Sequence, residues 1–516
     1  VNIMTRKPIK TYVIDLFCGA GGTSTAIFRA KTNIEVVACV NHDMNAIISH
    51  LKNYPNCLHF TEDIRTLDLT PILKLVRKLR RKDPTCKIAL WASLECTNFS
   101  KAKNGPKNPD SRTLAQDLFR YLDAIVPDFL WVENVEEFRE WGSLDEEGYI
   151  IRTKKGEMYH DWVNQLTSDY FGEEYLEDIL VSADYGGRTI RKRLFLQFSK
   201  NPDHLATPKQ THCKYGKKGK KWLPVRDILE LHDIGDSMFT RKKDFVWKTH
   251  RRIYKGLVRF GVADEKTFDY TYYGQGGAIS LTNPINTLTT KDRVSLVNVQ
   301  PYIMNTTYNN VGSSIDSPMH TLTADRHYPY VATPMCLKNN YGTSSVSSLD
   351  APCNTLTNVP KIDILSVCSF IHNPQYGGSN RPVNVPAATL IARQDKAPIG
   401  LTSAVQNQEI EFELRVVNSR RKKHIEYEPG KIIFNIRPTD DEWMIKIKKY
   451  CVKHQIMDVC VRPLNIVEML RIQGFPDNYC LQGTQTQKKK YIGNSVEVCV
   501  GVAMFKAIDY VIQRAA

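Results

Sequence analysis

The chain has 516 residues, 42% hydrophobic and 24% charged, as expected of a globular protein with more than one domain. Lys and Arg number 70 against 55 Asp and Glu, a net charge of +15, which suits nucleic acid or another polyanionic surface and disfavours cationic partners. No apolar run of 18 residues occurs and residues 1–7 lack the apolar core of a leader, so the expectation is a cytoplasmic protein outside the membrane.

Residues 12–17, 35–40, 87–92 and 129–134 are near-continuous apolar runs, the pattern of buried parallel strands. Residues 23–31, 43–53, 71–82 and 113–125 are amphipathic and predict the helices between them. Two antiparallel strands are expected near 177–183 and 192–198. A basic loop at 209–221 follows, either a solvated linker or a phosphate contact.

Beyond it lies an internal repeat. Pro-x-x-Thr-Leu recurs at Pro284, Pro318, Pro352 and Pro386, spaced by 34 residues each time. Tyr273, Tyr308, Tyr341 and Tyr376 each precede one of these prolines. With Gly, Asn and β-branched neighbours the unit reads as a turn followed by a strand. A β-rich domain of four similar units over 270–400 is therefore expected, with polar loops such as 291–293, 325–327 and 393–396 either solvated or offered to base edges. Helices are expected at 438–455 and 496–513.

Three strand ends carry chemistry on the cofactor side. Asp15-Leu16-Phe17-Cys18-Gly19-Ala20-Gly21-Gly22 joins a buried strand to a helix, where glycines let a ligand approach the backbone. Asn41 ends the next strand, at the place of a ribose. Asp63, beside Ile64, is placed to accept from an adenine amino group. Together these describe an adenosyl site. Cys96 and Glu133 then stand at two further strand ends, a thiol and a carboxyl facing that pocket. The 13 cysteines include no Cys-x-x-Cys, so a reduced compartment is expected, with neither a disulfide framework nor a clustered metal site.

The chain resembles the DNA cytosine-5 methyltransferases. Residues 15–22 are similar to that family's AdoMet motif, and Glu133-Asn134-Val135 to its glutamate motif. Residues 183–195 resemble the segment that carries two arginines, here Arg191 and Arg193. Residues 222–229, 462–476 and 491–496 resemble further motifs in the same order. The resemblance covers about 10–230 and 458–510, leaving the repeat region in the slot of a variable target-recognition domain.

That resemblance implies an α/β fold. A Rossmann-like AdoMet-dependent domain with a mixed sheet would span 1–235 and 458–516, and a smaller β-rich target-recognition domain 236–457. It implies AdoMet as methyl donor, double-stranded DNA as partner, a monomer, a possible cognate restriction enzyme, and a bacterial or phage-infected cell. Cys96 would add to carbon 6 of a flipped-out cytosine. Glu133 would hydrogen-bond ring nitrogen 3 and the exocyclic amine, and Arg193 with Arg191 would stabilise negative charge. Phe17 would pack on the adenine, with Cys18, Gly19, Gly21, Gly22, Thr113 and Leu114 near the cofactor. Asn494, Ser495 and Val496 would position the strand ends and AdoMet. No metal is implied.

Three positions depart from the family pattern. Glu95 replaces the proline before the nucleophile, Asn41 replaces the ribose-binding glutamate, and Thr189 replaces a glutamine. A carboxylate beside Cys96 raises its thiol pKa and so lowers the thiolate fraction. Two other readings share these residues: a weak or inactive methyltransferase-derived DNA-binding protein, and an RNA cytosine-5 methyltransferase.

Overall fold

The apolar runs near the N-terminus build the parallel half of a seven-stranded sheet. In the computed structural model, residues 7–94, 113–217, 219–230, 236–260, 411–428, 431–454, 456 and 458–515 are described, with short strands between 267 and 403. Contacts divide the chain into two units. The first comprises Val1–Glu230, Ile279–Val294 and Pro463–Ala516, and the second Leu231–Ala278 and Ser295–Arg462.

The strands of the first unit are β1 (Thr11–Leu16), β2 (Ile34–Val40), β3 (Leu58–Phe60), β4 (Lys87–Ser93), β5 (Phe129–Asn134), β6 (Tyr175–Val181) and β7 (Lys192–Ser199). They lie in the order β3-β2-β1-β4-β5-β7-β6. The pairs of β1 with β2 and β4, of β2 with β3 and of β4 with β5 are parallel. Only β7 runs against its neighbours β5 and β6, so the sheet is mixed. All six residues of β5 are buried, the physical reason its sequence lacks polar alternation. β3 is three residues long, too short for periodicity to reveal.

The helices are α1 (Gly22–Ala30), α2 (Met44–Asn53), α3 (Thr70–Lys82), α4 (Leu118–Ile125) and α5 (Glu157–Leu166). Asp43 is the N-cap of α2, its carboxylate accepting from the Asn45 and Ala46 amides, so the helix begins one residue later than its amphipathic pattern. The helix expected at 113–125 divides into a short 3-10 turn, Thr113–Ala115, and α4.

In the second unit, β8 (Asp236–Ser237), α6 (Trp247–Phe260), β9 (Glu411–Val416), β10 (Ile425–Glu428), β11 (Lys431–Ile436), α7 (Glu442–Lys453) and β12 (Cys460–Pro463) are described. Ile253, Leu257, Phe434, Met444 and Ile447 form its apolar core. Within that core lies a charged network, with Lys448 donating to Asp440 and Arg437 paired to the same carboxylate. Between 267 and 403 every described element is a strand, as the composition predicts. The four Pro-x-x-Thr-Leu-like units, their tyrosines and their polar loops lie outside the described residues.

The chain closes the first unit with α8 (Ile466–Ile472), α9 (Gln485–Asn494) and α10 (Val498–Arg514). α10 packs along α1, and the Gln513 side chain bonds both backbone groups of Ile9 at 2.9 and 2.8 Å. The final helix therefore packs back beside the first strand and helix, near the first motif, as the resemblance implies.

Candidate active site

Parallel order reverses between β1 and β4, and the C-terminal ends of strands flanking such a point form a natural crevice. β1 ends in a turn in which Phe17 and Gly19 have positive φ, 63° and 54°. A Cβ at Gly19 would meet nothing within 4 Å, so this glycine faces open space. Its neighbours do different work. A Cβ at Gly22 would lie 2.9 Å from the Val496 carbonyl oxygen and 3.0 Å from Ser495 Cβ. Gly21, the N-cap of α1, has Tyr479 and His50 against it. Of the three glycines expected to cradle a ligand, two instead admit the protein's own closing segment.

Asp15 is fully buried, and neither carboxyl oxygen has a hydrogen-bond partner. Burial, then the nearby Cys57, pushes its pKa well above the usual carboxylate range. Phe17 is half-buried against the main core, as is Leu114. Asn41 at the end of β2 accepts from the Asp43 amide at 2.9 Å, so its oxygen is already engaged in a turn. Asp63 is held by Arg65, with the closest contact at 2.6 Å, and that guanidinium lowers its pKa to about 2. Its carboxylate remains charged and partly exposed. Ile64 is a core residue, 4% exposed, whose carbonyl accepts from Tyr121 at 2.7 Å.

On the other side of β1 the strand ends carry charge. Ser93, the last residue of β4, is in register with Glu133 of β5. Glu133 Oε1 lies 3.2 Å from Arg193 Nε, with side-chain exposures of 6% and 14%. A buried carboxylate here is stabilised by its guanidinium partner. Arg191 does not share that position. It is 2% exposed and donates to the Gly493 carbonyl at 2.9 Å. The two arginines, two residues apart, thus make different contacts: Arg193 meets Glu133, and Arg191 ties the chain just before β7 to α9. Thr189 is fully buried. Cys96 and Glu95 lie outside the described residues, as does the Thr113 side chain.

The 491–496 motif packs against Gly22, at the start of α1. Asn494 is exposed at the end of α9, Ser495 is half-buried, and Val496 is buried. Tyr491 donates to the Asp43 carboxylate at 2.9 Å, so the same residue that caps α2 anchors the closing segment. Glu497 was not singled out by the sequence. It is the N-cap of α10, accepts from the Val500 amide at 2.9 Å, and leaves Oε1 without a partner. Burial raises its pKa to about 7. A Glu at a helix start after an Asn-Ser pair is the only signal that could have marked it.

A second polar cluster lies behind the β1 turn. Ligand atoms of Cys39, His50 and Cys57 all lie within 4.8 Å of one another, although the sequence spacing disfavours a clustered metal site. Hydrogen bonds from Cys39 and then from the His50 and His59 rings hold the Cys57 thiol well below the usual thiol range. Burial pushes the Cys39 and Cys18 thiols up.

Comparison with known proteins gives one family. The model of C-5 cytosine-specific DNA methylases matches residues 11–278 and 392–510. Type II methyltransferase M.HgiDI of Herpetosiphon aurantiacus is 26% identical over 299 residues, covering 56% of this chain and 82% of that protein. Type II methyltransferase M.DdeI of Desulfomicrobium norvegicum is 28% identical over 183 residues, 36% of this chain and 39% of that one. Among solved structures, a mutant DNMT2 of Spodoptera frugiperda superposes with a TM-score of 0.45 at 15% identity, covering 97% of this chain and 99% of that one. The methyltransferase EhMeth of Entamoeba histolytica gives 0.40 at 12% identity, with 98% of each chain covered.

Proposed function

The chain belongs to the C-5 cytosine-specific DNA methylases, and on that premise we propose how this DNA cytosine-5 methyltransferase works: through a covalent adduct between Cys96 and a flipped-out cytosine. One observation carries the proposal. Ser93, three residues before Cys96, is in register with Glu133, and Glu133 is paired with Arg193. This supports a carboxyl and a guanidinium at adjacent strand ends, with Cys96 following β4 in the sequence.

Cytosine carbon 5 is a poor nucleophile until electron density is pushed onto it. Addition of the Cys96 thiolate to carbon 6 forms a carbon–sulfur bond and leaves that density at carbon 5. Glu133 would meet ring nitrogen 3 and the exocyclic amine, and Arg193 the carbonyl oxygen, where charge accumulates. After carbon 5 is methylated, a base removes its proton and the thiolate leaves, restoring the aromatic ring. Carbon 6 is inaccessible in a stacked duplex, so the base must leave the helix first.

Methyltransferases of this family use AdoMet, and the residues here fit it. Gly19 faces open space beside the buried, unpartnered Asp15 carboxyl, a cradle for a ligand with donor groups. When bound, AdoMet supplies an electrophilic methyl group. Phe17, Cys18, Gly19 and Leu114 would line its site, with Asn41 and Asp63 toward the ribose and adenine. Gly21, Gly22, Asn494, Ser495 and Val496 would hold the wall from behind. Arg191 would act through the backbone of Gly493. The repeat segment within 236–457 would read the target sequence. Exposed Lys209, Lys214, Lys217, Lys220 and Lys221 would contact phosphates. A monomer with a cognate restriction enzyme as its cellular counterpart completes the proposal.

The test is duplex DNA carrying 5-fluorocytosine, incubated with the protein and AdoMet. Fluorine cannot leave as a proton does, so a trapped protein–DNA adduct is expected, and Cys96→Ser should abolish it. Absence of adduct on DNA of diverse sequence, with AdoMet binding intact, would sink the covalent route in favour of a DNA-binding protein. Higher turnover on tRNA than on duplex DNA would reassign the substrate.

A further inference from the structure

One buried cluster has no part in the chemistry above. Cys39 in β2, His50 in α2 and Cys57 just before β3 come from three elements, and their side chains are buried. Their geometry can be compared with a known coordination sphere. Tetrahedral zinc, with bonds of about 2.3 Å to sulfur and about 2.0 Å to nitrogen, sets sulfurs about 3.8 Å apart and sulfur from nitrogen by about 3.5 Å. Here the Cys39 and Cys57 sulfurs are 3.7 Å apart, and Cys39 Sγ is 3.2 Å from His50 Nε2. Each separation is within a few tenths of an ångström of that sphere.

The surroundings are also those of a ligand set. His50 Nδ1 lies 2.9 Å from His59 Nε2. With Nδ1–H donating to His59, Nε2 is left unprotonated on the side of the two thiols, the orientation that supporting partners impose on metal-binding imidazoles. Ser24 Oγ is 2.8 Å from the same Nε2. Two thiols and an imidazole select a borderline or soft divalent cation over magnesium or calcium.

We propose that Cys39, His50 and Cys57 form a zinc site, with His59 orienting His50. The ion would clamp β2, α2 and the start of β3 together. Those elements precede or carry Asn41, Asp43 and Asp63, so its effect on AdoMet binding rests on the functional reading above, while the site itself does not.

The experiment uses the full chain, expressed without a polyhistidine tag and kept free of chelators. Plasma mass spectrometry should find about one zinc per chain, and Co2+ replacement should produce thiolate-to-cobalt charge-transfer absorption. The double variant Cys39→Ser/Cys57→Ser should lose both signals, and Cys213→Ser should keep both. His59→Gln should weaken zinc binding by about 10- to 100-fold. Zinc-free wild-type protein whose Cys39 and Cys57 remain freely alkylated in the presence of added Zn2+ would overturn the proposal. So would a Cys39–Cys57 disulfide in its place, or zinc retained by the double variant. Wild-type metal content and the cobalt spectrum need no variant to fold, and neither readout involves AdoMet or DNA.

Discussion

The two flanks of the sheet's switch point bury polar groups by opposite means. On the β1–β2–β3 side the buried groups include thiols, the His50 imidazole and a carboxyl whose pKa is pushed up by burial. On the β4–β5–β7 side they are charged, with Glu133 against Arg193 and a buried Arg191 bonded to a backbone carbonyl. Removing an ion from water costs several kcal/mol unless a partner and hydrogen bonds offset it. The charged flank meets that condition with a Glu133–Arg193 pair and with the bond from Arg191 to a backbone carbonyl. On the other flank burial pushes up Asp15, Cys39 and Cys18 while hydrogen bonds lower Cys57, a mix of thiols that suits soft ligands for a metal.

The sharpest way to break this contrast is to neutralise the charged flank. Glu133→Gln should lower kcat by about 10²-fold or more while AdoMet affinity stays within about twofold of wild type. Single-turnover methylation with calorimetric AdoMet titration measures both, and unchanged kcat would show that the carboxyl is not in the reaction.

Glu497 tests the cost of burying a carboxyl behind that flank. Its pKa is raised from 4.5 to about 7, so the native state keeps a proton that the unfolded state has already lost. Stability contributed by this group is therefore full at low pH and falls as pH rises from about 4.5 to about 7, by about 3 kcal/mol at most. Thermal melts of wild type between pH 5 and 8 should show that decline, and Glu497→Gln should flatten it. Parallel profiles for the two proteins would remove Glu497 from the account.

The smallest effect concerns the cofactor flank. Gly22→Ala would place a methyl against the backbone of Val496, which cannot rotate away, and overpacking of this kind costs about 1–3 kcal/mol. A lower Tm and weaker AdoMet binding are expected together. A Tm equal to wild type would mean that the 494–496 segment can shift without loss.

Much of this arrangement was legible from residue order. The strands at 11–16, 34–40, 87–93 and 129–134 follow apolar runs to within a residue or two, because most of their residues are buried, which leaves little room for polar alternation. Glu133 and Arg193 were recognisable from their motifs. Less visible were the different contacts of Arg191 and Arg193, since a spacing of two at a strand start says nothing about which guanidinium a distant carbonyl will capture. Gly21 and Gly22 read as ligand-facing because their true neighbours, Tyr479 and Val496, are more than 400 residues away.

Sequence alone determined the class of chemistry, the α/β order of the first unit and the strand-rich character of the insertion. These depend on local hydrophobic pattern and on residue types at strand ends. Only the tertiary structure decided which polar groups share a buried space. Glu133 meets Arg193 through the antiparallel β5–β7 pairing. Cys39, His50 and Cys57 meet because β2, α2 and β3 fold back on one another, at spacings that match no familiar metal motif. Convergence of that kind depends on packing across elements, a property that no window of sequence contains.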